Sequence, residues 1–147
     1  MEIAVIPIYQ GGDMKNLIRL EELALFVLAV YLFAVLDYAW WLFPVLLLTP
    51  DLGALGYLGG SRLGATIYNL THHKGIAVVF YLAGALAGTE ILQLIGVIVL
   101  AHSSLDRVFG YGLKYPDSSD HTHLGWVGKT RREMAAKGAE LPASGES

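Results

Sequence analysis

Five histidines occur in this chain, all from residue 72 onward: His72, His73, His102, His121 and His123. His102 and Asp106 are four residues apart, so a helix puts them on one face. Asn69 and His72 are three apart and share a face in the same way. Asp51 stands beside Pro50 in an otherwise apolar stretch. Imidazole and carboxylate together suit zinc, iron or manganese. His72, His102, Asp106 and His123 are the candidate ligands. Asp106 or Asp51 would serve as a ligand or as the general base of a hydrolytic reaction. His73, His121, Asn69 and Arg107 are further candidates for the same polar site. The spacing follows no established ligand motif, since there is no His-Glu-x-x-His. The plainer reading is a structural network, with His102 bonded to Asp106 and Arg107 pairing Asp106.

These groups sit in surroundings that make them expensive. The chain has 147 residues, of which 54% are hydrophobic and 16% charged, and its mean hydropathy is +0.51. Soluble domains carry about 25% charged residues. Between residues 23 and 105 the formal charges are Asp37, Asp51, Arg62, Lys74 and Glu90. A charged side chain at mid-helix in a bilayer costs about 2.5–3.5 kcal/mol on insertion scales. Each Leu, Ile or Val returns only about 0.3–0.6 kcal/mol on the same scale. Several such groups on neighbouring helices need partners, and a metal ion or a hydrogen-bonded network supplies them. The composition excludes a soluble enzyme and a disordered protein. The net charge of −3 carries no signal for nucleic acid. Without cysteine there is no disulfide or thiolate metal site.

The elements that must position the candidates are helices. The expected fold is all-α, a polytopic membrane bundle of about four transmembrane helices with a break near Pro50. Helix one is expected over 16–36, and its uncharged part with flanks reaches the ~20 residues a bilayer needs. Trp40 and Trp41 mark a membrane boundary. Helix two starts near Trp40, and Pro50 breaks it because proline cannot donate in the helical ladder. Asp51 caps a second half-helix from near Leu52, or joins a polar site, or does both. Gly56/Gly60 and Gly60/Gly64 have the spacing that lets helices approach closely in lipid. A third segment, 63–88, is expected to span once, bent at Lys74-Gly75. Helix four opens at Glu90 and closes at Asp106-Arg107. A polar exit loop, 117–125, brings His121 and His123 beneath it.

Residues 1–13 read as a loose arm or surface segment. They do not read as a secretory signal, because Pro7 breaks a short apolar run behind Glu2. Residues 14–125 form the membrane domain, and 126–147 a mobile tail. Lys15 and Arg19 precede helix one, while Arg107, Lys114, Lys129, Arg131, Arg132 and Lys137 follow helix four. Both termini are therefore expected in the cytoplasm, which requires an even number of crossings.

The strings Tyr68-Asn69-Leu70-Thr71-His72, Ala101-His102-Ser103-Ser104-Leu105-Asp106-Arg107, Gly110-Tyr111-Gly112-Leu113-Lys114-Tyr115-Pro116 and Thr122-His123-Leu124-Gly125 resemble a family of small bacterial membrane proteins, domain of unknown function 4260. The resemblance runs from about Leu17 to Gly128. It implies a polytopic protein of the bacterial inner membrane with no assigned reaction. In the family pattern an Asp precedes Thr-His-Leu-Gly, where this chain has His121. If that Asp is a ligand, His121 replaces it; if it is a cap, the change is neutral. Three functions stay open. The first is a metal-dependent hydrolase of a membrane lipid or amphiphile. The second is a non-enzymatic metal or proton carrier, and the third an accessory subunit with a structural polar core. Oligomeric state is not legible.

Overall fold

The computed structural model of the chain describes residues 11–136, with side chains from residue 14 onward. Most of the expected N-terminal arm and the end of the expected tail, 1–10 and 137–147, lie outside the described residues. Helix α1 covers Gly11–Val35, starting ahead of the expected residue 16. Its positions Ala29 and Phe33, one turn apart, are buried against the core of the bundle. After the turn, α2 is a short helix, Leu42–Leu47. Pro44 falls in its first turn, where a missing N–H costs little.

The expected break is present just ahead of Pro50, but the segment beyond it is not an α-helix. Thr49–Gly59 is a 3-10 helix of 11 residues, although such runs rarely exceed 3–4 residues. Asp51 lies in its first turn, and the capping position belongs to Leu48. The sequence explains the helix type. Residues 52–60 read Leu-Gly-Ala, Leu-Gly-Tyr, Leu-Gly-Gly, a tripeptide repeat. Three residues complete one turn of a 3-10 helix, so Gly53, Gly56 and Gly59 line one ridge and Leu52, Leu55 and Leu58 another. The leucines are exposed. The glycine ridge lies against helix α3, Ser61–Thr71. A Cβ added at Gly53 would stand 2.3 Å from Thr71 Oγ1, and one at Gly56 would stand 3.3 Å from Gly64 Cα. The close approach therefore runs through every third residue, not through the expected Gly56/Gly60 and Gly60/Gly64 pairs. Gly60 is the hairpin tip, at φ 107°.

The segment 63–88 is two helices rather than one bent span. Helix α3 ends at Thr71, and α4 covers Lys74–Ala87. His73 caps α4, its Nδ1 accepting from the Ile76 N–H at 3.3 Å. Gly75, part of the expected bend, lies inside α4. The turn at Gly88 leads into α5, Glu90–Phe109, which Gly110 ends in the left-handed conformation. Helix α5 is the axis of the bundle, packed against both α1 and α4. Its Val97 and Ala101 are fully covered and join Ala29, Phe33, Leu94 and Ile98 in the core. At Gly96 an added Cβ would meet Ala77 O at 2.5 Å and Tyr81 N at 2.6 Å, so α4 and α5 touch backbone to backbone.

Among the described residues, two stretches are long and apolar enough to cross a membrane, Leu42–Gly59 and Glu90–Phe109. Helix α4 is apolar but has 14 residues. Beyond α5 the chain folds back in a small antiparallel hairpin, β1 at His121–Thr122 and β2 at Gly125–Trp126, with Lys114 bridged to Thr122. The stretch expected as tail begins with a helix, α6, Gly128–Ala136. Asp120 Oδ2 holds its first turn, accepting from the Thr130 N–H and hydroxyl.

Candidate metal centre

The break after α2, the end of α3 and one face of α5 meet at a single point. Two backbone carbonyls near helix ends place the histidines. At the end of α2, Leu47 O accepts from His102 Nδ1 at 2.7 Å. In the last turn of α3, Tyr68 O accepts from His72 Nδ1 at 2.8 Å. A carbonyl oxygen can only accept, so each Nδ1 carries a proton, and Nε2 is the ring position left to offer a lone pair.

Those two Nε2 positions face each other. His72 Nε2 and His102 Nε2 are 3.0 Å apart. Asp51 Oδ1 lies 3.4 Å from His102 Nε2 and 3.7 Å from His72 Nε2. Asp106 Oδ2 lies 3.6 Å from both. All four ligand atoms fall within 4.8 Å of one another. Ligands 2.0–2.1 Å from a common tetrahedral ion stand about 3.3 Å apart, close to these separations. Four acceptors converge here, and the donor that reaches them is the Tyr68 hydroxyl, 3.1 Å from Asp106 Oδ2. Acceptors crowded this way repel unless a cation lies between them.

The site has a closed floor and an open rim. The imidazoles are 2% and 5% exposed, Asp106 20% and Asp51 56%. Supporting contacts fix the floor. The Tyr68 ring stacks on His72 at 3.7 Å. Ser103 Oγ donates to His72 O at 3.0 Å. Arg107 does not pair with Asp106 as expected; it donates to Ser103 O at 2.8 Å and reaches toward His72 O at 3.5 Å. Its fork is taken up by backbone carbonyls. Lys74 pairs with Glu22, tying α4 to α1. Above Tyr68 the Lys114 ammonium sits 5.2 Å from the ring centroid, and burial lowers its pKa.

The structure thus brings together Asp51, His72, His102 and Asp106, and leaves the other candidates outside that group. Asn69 holds the exit loop instead: its Nδ2 donates to Lys114 O at 2.9 Å, and its Oδ1 accepts from the Lys114 N–H at 2.7 Å. His123, expected as a ligand, is a loop anchor whose Nδ1 accepts from the Leu113 N–H at 2.8 Å. That bond uses the lone pair a metal would need. His121 lies in the hairpin, stacked on Trp126 at 4.3 Å and bonded to Asp117 Oδ2 at 2.8 Å. The same bond lowers the Asp117 pKa. His73 is engaged in its cap. Sequence reasoning missed Tyr68 and Thr71, whose hydroxyl lies 3.0 Å from His72 Nδ1. Tyr68 had a usable signal, since it precedes His72 by one helical turn. The Leu47 carbonyl had none, because any residue supplies one.

A family model described as a domain of unknown function (DUF4260) matches residues 15–127. No curated protein and no solved structure matches the chain.

Proposed function

The chain belongs to the DUF4260 family, and from that premise we propose an integral membrane protein that holds one divalent ion between His72, His102, Asp106 and Asp51. One observation carries the reading: two buried imidazoles, each with its Nδ1 proton given to a carbonyl, aim their Nε2 lone pairs at one point 3.0 Å across. Ligating histidines typically donate the other ring N–H to a carbonyl or carboxylate. Zinc suits a four-coordinate set of this kind, with iron and manganese as the other ions of matching chemistry.

The activity we assign to the site is hydrolysis of an ester in a lipid or amphiphile. A divalent ion held by His72, His102 and Asp106 would supply a Lewis acid for an ester oxygen and an activated water. Asp51, the most exposed of the four, would yield its place on the ion to the attacking water and accept that water's proton. Oxygen adds to the carbonyl carbon, the ester C–O bond breaks, and the proton passes to the departing alkoxide. An acid and an alcohol leave. The open rim supports turnover over permanent sequestration.

Metal analysis of the purified protein tests the reading. About one equivalent of zinc, iron or manganese per chain is expected, falling below a tenth in His102→Ala. A wild-type protein that carries no metal and takes up none on reconstitution sinks the proposal. The 3.0 Å contact then belongs to a proton shared between the two rings, which is the carrier or structural alternative.

The membrane arrangement is part of the same proposal. Leu42–Gly59 and Glu90–Phe109 support two crossings. Exposed apolar faces on α1 (Val27, Tyr31, Val35) and on α4 (Val79, Leu82, Leu86) support two more. The skew of Lys and Arg puts both termini in the cytoplasm of a bacterium, with membrane lipid as the partner. Reporter fusions after Ser147 and at Asp37 are expected on opposite sides of the inner membrane. The same side for both would rule out this topology.

A further inference from the structure

An apolar groove runs beside the candidate metal centre. It lies between α2 and α5, has a volume of about 180 Å³, and is lined by Leu46, Thr49, Ile91, Leu94, Ile95 and Ile98 together with Val99. The single hydroxyl among them, Thr49 Oγ1, donates to Leu46 O at 2.7 Å, so the groove offers no free polar group. An apolar cavity of about 150 Å³ takes up benzene, so this one accommodates about six chain carbons. Along α5, Ile91 to Val99 spans about 12 Å.

The groove leads toward the site along α5. Ile98 precedes His102 by one turn of the same face. Leu46 is next to Leu47, whose carbonyl holds His102, and Thr49 lies two residues before Asp51. The lining of the groove therefore stops one helical turn short of the polar centre.

We propose that this groove takes the acyl chain of a membrane lipid and sets its acyl carbonyl at the His/Asp cluster. The carbonyl and the first chain carbons beside it span the gap of one helical turn, about 5.4 Å. A lipid phosphoryl group stands farther from the chain, across the glycerol, and does not fit the same gap. On the topology proposed above α5 ends in the cytoplasm, so the cluster near its C-terminal end lies in the cytoplasmic half, and the groove runs from it toward the middle of the bilayer, as an acyl chain of that leaflet does. The inference rests on the hydrolytic reading above and supplies its substrate class.

The test uses the full chain in a sterol-type detergent, which has no alkyl tail to compete. The probe is a ten-carbon fatty acid with a diazirine in mid-chain, and metal content is measured on the same samples. Photo-adducts are expected on Leu46, Ile91, Ile95 or Val99, with at least a fivefold loss in Ile95→Trp, which fills the groove. Val99→Trp is the second filler should Ile95→Trp not fold. Decanoate is expected to compete at least tenfold better than decanol, because its carboxyl carbon reaches the cluster. Adducts spread over the exposed leucines of α1, α3 and α4, or unchanged in both filled variants, overturn the proposal. Equal competition by decanoate and decanol overturns the carbonyl placement. A protein with groove adducts and no metal defeats the metal reading alone, since chain binding does not require the ion.

Discussion

Asp106→Asn is expected to weaken metal binding more than a hundredfold, and Tyr68→Phe by ten- to a hundredfold. Asp106 contributes an anionic oxygen 3.6 Å from both Nε2 atoms. An amide oxygen keeps the shape and loses the charge that holds a divalent ion against two neutral imidazoles. Tyr68 acts on the ion only through others. Its hydroxyl donates to Asp106 Oδ2 at 3.1 Å and its ring stacks on His72. Loss of such an outer partner typically costs ten- to a hundredfold in affinity. Competition against a chelator of known strength measures both variants. Equal losses would place Tyr68 among the ligands, and no loss in Tyr68→Phe would remove it from the site. Asp51→Asn provides an internal comparison. Its carboxylate is more than half exposed, so water can replace it, and the loss is expected to be smaller than for Asp106→Asn.

Gly96→Leu is expected to leave little folded protein. The helices α4 and α5 meet where Gly96 faces the backbone of Ala77 and Tyr81, at 2.5 and 2.6 Å from an added Cβ. Neither obstacle is the end of a flexible side chain, so the two helices must separate. Overpacking a core costs about 1–3 kcal/mol and occasionally more. The upper end applies here because separation also opens the layer around Val97, Ala101 and Leu94. It further shifts His102, which stands on the same helix. The expected result is a broad, early peak in size-exclusion chromatography and no measurable cooperative melting. Leu86→Ala is the control: Leu86 lies in α4 with 90% of its surface open, and its removal is expected to change stability by less than about 0.5 kcal/mol. A Gly96→Leu protein that melts like wild type would show that α4 and α5 are not in contact at this point.

Much of the helical framework could be read from residue types alone. The apolar run from Glu90 to Leu105 dictated α5, and the i, i+4 spacing of His102 and Asp106 put them on one face. Pro50 announced a break, because the missing N–H is a local property of one residue. The tripeptide repeat at 52–60 was present as well, but four-residue spacing passes over it. Its period of three makes sense only once a 3-10 helix is considered, and such a helix is sustained only by a partner surface such as α3. The split between α3 and α4 was hidden for a related reason. Thr71 to Gly75 has no proline, and the new helix starts there on the side-chain cap that His73 supplies.

The candidate site divides along the same line. Residue chemistry and helical period singled out His72, His102, Asp106 and His123, with Asp51 and Asn69 close by, since ionisable groups on neighbouring helices need common partners. Which of these meet was decided by tertiary structure. His123 and His121 have the same chemistry as His72, yet the fold of the exit loop binds one to the Leu113 N–H and the other to Asp117 and Trp126. The orientation of the two candidate ligand rings was decided by the carbonyls of Leu47 and Tyr68. Carbonyls are identical at every position of a sequence. Only the three-dimensional placement of two helix ends distinguishes these, and it leaves both Nε2 atoms facing the same point.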